Sequence, residues 1–496
     1  MTRHAREHFQ INQYHRRYDR ETDRFIINIS YETHAPQPTK RVLAVAESFG
    51  LGLDQHHKFV IYDNVELKIS PHDIVYITGE SGSGKSALLK ALENDIKTDM
   101  AATATNINDI QPPLNQPIIE TVGNTTEQAL ELLSRVGLND AFLFLRTYQQ
   151  LSDGQRYRYR TAKLIETNAQ FWILDEFAAT LDRDTAKIVA YNLQKLARQS
   201  GKAVIAATTH TDLFADLQPN VHIHKHFGRQ LQINYHPNTP PQKCTLLNEI
   251  KIEPGTRQDY QALAEFHYRS HNLGAIRKIF KATHQNELCG VIVYTYPPIA
   301  TTGRRLAIPH MPIHELNQKL SNIMRVVVHP KYRTIGLGQR LVRETLPHCG
   351  TPYAETTAVM AKYNPFFEKA GMTRTHTTTP AKQALAIRNA LEKLGFNATL
   401  LSSEDYALTQ LNSLTKAELT TLRQAFAQNY HPRLAKELIH NQPYGTHQQY
   451  RQKLETATPE KLAKLITLTA QLLQTKIYLF WHRTPQPITF SHKTTK

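Results

Sequence analysis

The most concentrated chemistry in this chain lies in ten consecutive residues, Ile77-Thr78-Gly79-Glu80-Ser81-Gly82-Ser83-Gly84-Lys85-Ser86. They read G-x-x-x-x-G-K-S, with apolar Ile74, Val75 and Ile77 before and Ala87-Leu88-Leu89-Lys90 after. Glycines let a backbone wrap a phosphate chain, so that successive N–H groups and a helix N-terminus face the anion. Lys85 is placed to reach the β- and γ-phosphates, and the Ser86 hydroxyl to ligand Mg²⁺. Two further segments supply what phosphoryl transfer still lacks. Phe171-Trp172-Ile173-Leu174 ends in Asp175 and Glu176, and Val204-Ile205-Ala206-Ala207-Thr208-Thr209 ends in His210. Such transfer is catalysed by positioning and charge neutralisation, so a lysine, a metal-holding acid, a base and a γ-phosphate sensor form the expected set.

These side chains have to be presented by elements. The glycine run calls for a strand before it and a helix after it. Asp175-Glu176 and His210 each close an apolar stretch that reads as a buried strand. Between them lie Leu151-Ser152-Asp153-Gly154-Gln155, followed by Arg156-Tyr157-Arg158-Tyr159-Arg160, and a short turn Ala179-Thr180-Leu181-Asp182. This order of motifs resembles the ABC-type ATPases over about residues 40–235. The resemblance implies ATP and Mg²⁺ as ligands, with the loop Gly79, Glu80, Ser81, Gly82, Ser83, Gly84, Lys85 and Ser86 as the P-loop. It makes Ser86 and Asp175 the metal ligands, Asp175 through water. Glu176 becomes the general base and His210 the γ-phosphate sensor. Ser152, Gly154 and Gln155 fall in the signature loop that caps ATP held by a second subunit, and the D-loop position falls on Thr180-Leu181-Asp182. A homodimer on ATP binding follows, since the chain has one set of motifs. The chain departs from the pattern in carrying Asp153 where a glycine is usual. Ser152 comes only 66 positions after Ser86, so the helical insert that would grip a membrane subunit reads as reduced. The Q-loop glutamine is Gln111 or Gln116, with Gln116 preferred, and the adenine-stacking aromatic is Phe59 or Tyr62.

A second anion cradle follows. Ile323-Met324-Arg325-Val326-Val327-Val328-His329-Pro330 reads as a strand, Lys331 to Gly338 as a loop with R-x-x-G-x-G, and Gln339 to Leu346 as a helix. Strand, glycine loop and helix N-terminus suit a pyrophosphate. With the later Asn364-Pro365-Phe366-Phe367-Glu368-Lys369-Ala370-Gly371-Met372, the segment resembles the GNAT acetyltransferases. That resemblance implies acetyl-CoA bound by Arg333, Gly336 and Gly338, its pantetheine arm pairing with the backbone of Val326 and Val328. Phe367 stands where many relatives carry a tyrosine acid, and Tyr363, a helical turn earlier, would replace it or else simply pack. Glu355 and His329 are the alternatives for a base. The two modules together resemble a family of prokaryotic and phage fusion proteins.

The fold class expected is therefore α/β: an N-terminal extension over 1–40, an ABC-type ATPase domain over 41–240, a mixed α/β GNAT-like domain over 246–378 and a basic α-helical region over 380–496. A chain of 496 residues exceeds one ordinary core. The content, 40% hydrophobic and 21% charged, is that of a folded protein. No apolar run is of spanning length, and the first residues lack the apolar core of a signal peptide. Cys244, Cys289 and Cys349 are scattered, which suits a reducing cytoplasm without zinc or disulfides. The net charge is +16, and from residue 380 onward 15 Lys+Arg face 7 Asp+Glu. That excess suggests a DNA or RNA partner, with Tyr430, Tyr444, Tyr450, Tyr478 and Trp481 available for base stacking. Leucines at helical spacing, and Thr458-Pro459 as a helix start, predict a small bundle there. The function expected is ATP hydrolysis joined to N-acyl transfer near nucleic acid. The alternatives are an ATP-driven nucleic-acid clamp with an inert GNAT domain, and the energising subunit of a transporter, although a membrane partner is not expected.

Overall fold

The computed structural model describes residues 9–12, 17–33, 37–50, 58–240, 242–267, 273–362, 364–439 and 446–483. Four strands begin the chain, β1 (Phe9–Asn12), β2 (Arg17–Asp19), β3 (Arg24–Thr33) and β4 (Lys58–Leu67), joined in one antiparallel sheet around β3. The second sheet comprises β5 (Ile74–Gly79), β6 (Ala104–Asn106), β7 (Phe171–Leu174), β8 (Ala203–Thr208), β9 (Val221–Lys225) and β10 (Leu231–Tyr235). Its order is β10-β9-β5-β8-β7-β6. Strand β5 runs parallel to both β8 and β9, and β7 is parallel to β6 and β8.

The unbroken apolar character of β5 and β8 has a physical source. Both are buried at every residue, as expected of central parallel strands covered on two faces. Successive side chains point to opposite faces. Val75 and Ile77 therefore enter one core with Leu88, Leu92 and Ile96 of the helix Lys85–Thr98. Ile74 and Tyr76 enter the other with Ala186, Val189 and Leu193 of the helix Arg183–Ser200. Both glycine loop and acidic pair sit at carboxyl ends of parallel strands, where open α/β sheets bind ligands. The helical insert before Ser152 is short, one ten-residue helix Thr126–Arg135 and one four-residue turn Ala141–Phe144.

The third sheet holds β11 (Lys251–Pro254), β12 (Ile276–His284), β13 (Glu287–Thr295), β14 (Leu320–Val328), β15 (Tyr353–Ala358), β16 (Thr373–Thr378) and β17 (Lys476–His482), in the order β11-β12-β13-β14-β15-β17-β16. The region after residue 380 is thus not helical throughout. Its helices span Lys382 to Leu472 and share a core that includes Ile387, Leu391, Leu422, Phe426, Leu462 and Leu465. Its last strand, β17, then inserts between β15 and β16. The helix Pro459–Leu472 does start at Thr458, whose hydroxyl caps the Lys461 N–H.

Compactness divides the chain into two units. One unit comprises 1–271, 280–291 and 327–341, the other 272–279, 292–326 and 342–496. Among the described residues no helix is long and apolar enough to cross a membrane. All three cysteines are free and buried, and burial pushes the Cys289 thiol up to about 11. Tyr450 and Tyr478 are fully buried too, which removes them from the base-stacking set. Tyr430 stacks on His447 and meets Tyr450 edge-on, while Tyr444 lies outside the described residues.

Candidate active site

The phosphate-type cradle begins where β5 ends. Gly79 has φ +147, and a Cβ there would lie 2.1 Å from the Lys225 carbonyl oxygen, so only glycine fits. Gly84 (φ +99) starts the helix Lys85–Thr98, whose first N–H groups have no side-chain cap. They remain for an anion. The Lys85 ammonium turns back on its own loop, donating to the carbonyls of Gly79 at 2.8 Å and Glu80 at 2.6 Å. Burial lowers its pKa, with Asp175 acting in the opposite sense. Ser83 is 3% exposed, and its hydroxyl has no hydrogen-bond partner. A buried polar atom without a partner costs free energy unless something completes it.

Asp175 and Glu176 follow β7. The Ser86 hydroxyl donates to Asp175 Oδ1 at 3.1 Å, and the Glu176 N–H donates to the same oxygen at 3.0 Å. A hydroxyl and a carboxylate make an oxygen-only donor set, which suits Mg²⁺ held partly through water. Glu176 has φ +50 and Ala178 φ +58, conformations that cost free energy and cluster at functional sites. The Phe177 N–H, bonded to the Ala207 carbonyl at 2.7 Å, locks this turn to β8.

His210 follows β8, its carbonyl accepting from the Tyr76 hydroxyl. Arg183 Nη1 lies 2.6 Å from His210 Nδ1 and 3.0 Å from Asp212. A guanidinium can only donate, so Nδ1 is the acceptor and the neutral ring carries its proton on Nε2. That Nε2 is buried and makes no hydrogen bond. Burial lowers the His210 pKa, Arg183 adds to the fall, and Asp212 and the Ala178 carbonyl oppose it. Arg183 was not among the expected site residues; its place just after Asp182 was the available signal.

The signature segment has a clear local logic. Ser152 caps the helix Asp153–Glu166, and Gln155 closes a reciprocal capping box, its Oε1 accepting from the Ser152 N–H at 3.0 Å. Asp153 occupies the first helical position with its side chain 84% exposed, paired to Arg156 at 3.4 Å. A carboxylate there complements the helix dipole, which accounts for its presence where glycine was expected. The space around Gly154 is bounded by Leu181 and the Thr180 carbonyl, so the D-loop residues pack on the signature helix. Gln111 and Gln116 are both exposed. Of the two aromatics, Tyr62 is buried and bonds the Gly84 carbonyl at 3.2 Å. Phe59 is 46% exposed and pairs with exposed Phe227.

Residues 62–179, which hold this loop, the signature helix and the acidic pair, match the family model described as ABC transporter. Residues 62–179 form an ABC transporter ATPase domain. The domain is similar to the alpha-hemolysin translocation ATP-binding protein HlyB of Escherichia coli O157:H7, 27% identical over 182 residues, 30% of this chain and 25% of that protein. It is also similar to the cytochrome c biogenesis ATP-binding export protein CcmA of Aliivibrio fischeri, 27% identical over 186 residues, 32% of this chain and 88% of that one. The matched region thus spans about a quarter of HlyB. A solved dimer of the ATP-binding cassette MJ0796 bound to ADP and Pi matches 37% of this chain and 94% of its own at 20% identity, with a TM-score of 0.31.

Beyond the ATPase domain, β14 runs into the R-x-x-G-x-G loop and the helix Leu337–Thr345. Gly336 has φ +96 and open space around it. Parallel pairing of β14 with β15 covers only Leu320–Asn322 against Tyr353–Glu355, although both strands continue. The Thr356 hydroxyl still donates to the Ile323 carbonyl at 3.0 Å, and in this register β15 ends, at Ala358, before it comes level with Val326 and Val328. Arg333, expected to hold pyrophosphate, is turned elsewhere: its guanidinium donates to the carbonyls of Val328 at 3.0 Å, Phe266 at 3.4 Å and Asn139. Glu355 is fully buried, bound by Arg304 at 2.5 and 2.9 Å and by the Tyr478 hydroxyl at 2.7 Å. A carboxylate so paired is not a free base. His329 Nδ1 accepts the Lys331 N–H at 3.3 Å, and burial, then Lys331 and Arg333, lower its pKa. Phe367 packs in the interior, and Tyr363 lies outside the described residues. Among the described residues, no group of three or more His, Cys, Asp or Glu is placed to hold a metal ion.

Proposed function

We propose that the chain binds and hydrolyses Mg²⁺·ATP as a homodimer, each P-loop completed by the partner's signature helix. The observation that carries this reading is the pair of unsatisfied buried atoms, Ser83 Oγ and His210 Nε2–H, in a loop and at a strand end suited to phosphate oxygens. Lys85 exchanges its two loop carbonyls for β- and γ-phosphate oxygens. Mg²⁺, held by Ser86 and Asp175, supplies charge neutralisation for the phosphates. Glu176 orients a water and takes its proton as the new O–Pγ bond forms and the Pγ–O bond to the β-phosphate breaks. His210 donates Nε2–H to the γ-phosphate, its tautomer set by Arg183. Ser152, Gly154 and Gln155 cap the same phosphate from the other copy, with Gln116 at the Q-loop. The test is mixed-dimer turnover: Lys85→Ala and Ser152→Arg chains, each inactive alone, should recover activity when mixed. Full turnover by each variant alone would overturn the shared site.

The extension of β14 past the end of β15 favours a second activity, binding of acetyl-CoA along Val326 and Val328 with its pyrophosphate at Gly336 and Gly338. In the reaction the thioester C–S bond breaks, a C–N bond forms on an amine, and the amine proton passes to the thiolate; Tyr363 is the acid. Titration with acetyl-CoA by calorimetry tests the binding step, and Gly336→Glu should abolish it. A polyanionic partner rests on the +16 charge, and a cytoplasmic setting on the reduced cysteines. Salt-independent retention on DNA and RNA columns, or none, would remove nucleic acid.

A further inference from the structure

The second glycine loop is anchored to the machinery of the first. Lys331, at its entrance, lies 3.1 Å from Asp182 Oδ1, 3.2 Å from Asp184 Oδ2 and 3.5 Å from Glu287 Oε2. The Tyr332 hydroxyl, 1% exposed as a residue, donates to Asp184 Oδ2 at 2.8 Å. Asn192 Nδ2 donates to Thr334 Oγ1 at 2.8 Å, and Asn139 Nδ2 to the Pro330 carbonyl at 3.3 Å. All of these residues belong to one compact unit. Asp182 has two further attachments. Its carboxylate caps the helix Arg183–Ser200 through Thr185. It also directly follows Thr180 and Leu181, the residues packed on Gly154 of the signature helix. A continuous line of contacts therefore runs from the signature helix through the D-loop to the ammonium of Lys331.

We propose that ATP binding controls the second loop through this line: rearrangement of the 180–182 turn on ATP closure takes Asp182, the nearest of its three carboxylates, from Lys331, and the ammonium so loosened then exchanges Asp184 and Glu287 for the pyrophosphate of acyl-CoA. This rests on the acetyl-CoA reading above. In the structure described here Arg333 is committed to backbone carbonyls, so the loop lacks its expected cation and Lys331 is the side chain able to replace it. The ion pair holds Lys331 as a latch, and the loop's open face at Gly336 awaits a ligand. Binding linkage is reciprocal, so acyl-CoA also tightens ATP binding.

The experiment is calorimetric titration of acetyl-CoA into the full chain carrying Glu176→Gln, with and without Mg²⁺·ATP. Affinity should rise about tenfold with ATP, within the usual range of coupling between sites. Asp182→Asn removes the nearest of the three carboxylates that hold Lys331 while keeping a side chain that caps helices as well as aspartate does. It should give the higher affinity without nucleotide. Lys331→Met should bind weakly in both states. Equal or weaker affinity with ATP, or an Asp182→Asn chain indistinguishable from its parent, would overturn the latch while leaving the acetyl-CoA site standing. No binding in any state would overturn both.

Discussion

The chain contains two glycine loops, each between a strand and a helix, and they differ in how their cations are used. In the loop Gly79–Ser86 the lysine bonds only carbonyls of its own loop. Ser83 keeps a buried hydroxyl with no partner. In the loop Lys331–Gly338 both cations are engaged by residues far away in sequence, Lys331 by Asp182 and Asp184, Arg333 by Asn139 and Phe266. The first loop holds its charge in reserve for a ligand. The second has spent its charge on neighbours, and any ligand must displace them. Two loops of similar spacing are thus in different states of readiness, and spacing does not distinguish them.

The largest test of that contrast is loss of each cation. Lys85→Ala should lower ATP turnover about 100-fold or more, the scale of removing one preorganised charge stabiliser. Arg333→Ala should instead cost stability, about 1–3 kcal/mol, because it strands buried carbonyls, and should change acetyl-CoA affinity little. Calorimetry and urea unfolding separate the two; an Arg333→Ala chain of unchanged stability but lost affinity would erase the contrast. Next come the glycines. Gly79→Ala forces a Cβ against the Lys225 carbonyl and should destabilise by about 3 kcal/mol. Gly336→Ala meets open space and should cost only the positive φ, about 1 kcal/mol. Equal losses in urea midpoint would show that the loops are equally constrained.

A smaller effect sharpens the ATPase side. Ser152→Ala should lose about 1 kcal/mol of stability through the missing cap, and circular dichroism melts would register it. The smallest is pH dependence at His210. Its folded pKa lies below the ordinary histidine value near 6.5. The unfolded chain therefore binds the proton first as pH falls, and this group's contribution to stability is full above that value and lost below it. His210→Gln should flatten the fall in stability as the pH drops below the ordinary histidine value near 6.5. An unchanged slope would place the pH response elsewhere.

Much of the ATPase site was readable from residue order. The turns at Gly82 and Gly84 need glycine because their φ is positive, and the unbroken apolar runs of β5 and β8 follow from burial on two faces. Thr458-Pro459 announced a helix start, which formed. Other choices were not readable. Phe59 and Tyr62 lie three residues apart with similar chemistry, and only packing put Tyr62 inside. Glu355 reads as a free carboxylate until Arg304 and Tyr478 close on it from 51 and 123 residues away. The strand Lys476–His482 followed a run of helices with nothing to name its partners.

Residue order alone settles the anion cradle, because phosphate-shaped backbone is encoded in a few adjacent φ values and a helix N-terminus. The fold settles the engagement of charge. Whether Lys331 faces a ligand or an aspartate depends on segments about 150 residues apart meeting, and such meetings are decided by packing over the whole unit rather than by any local preference.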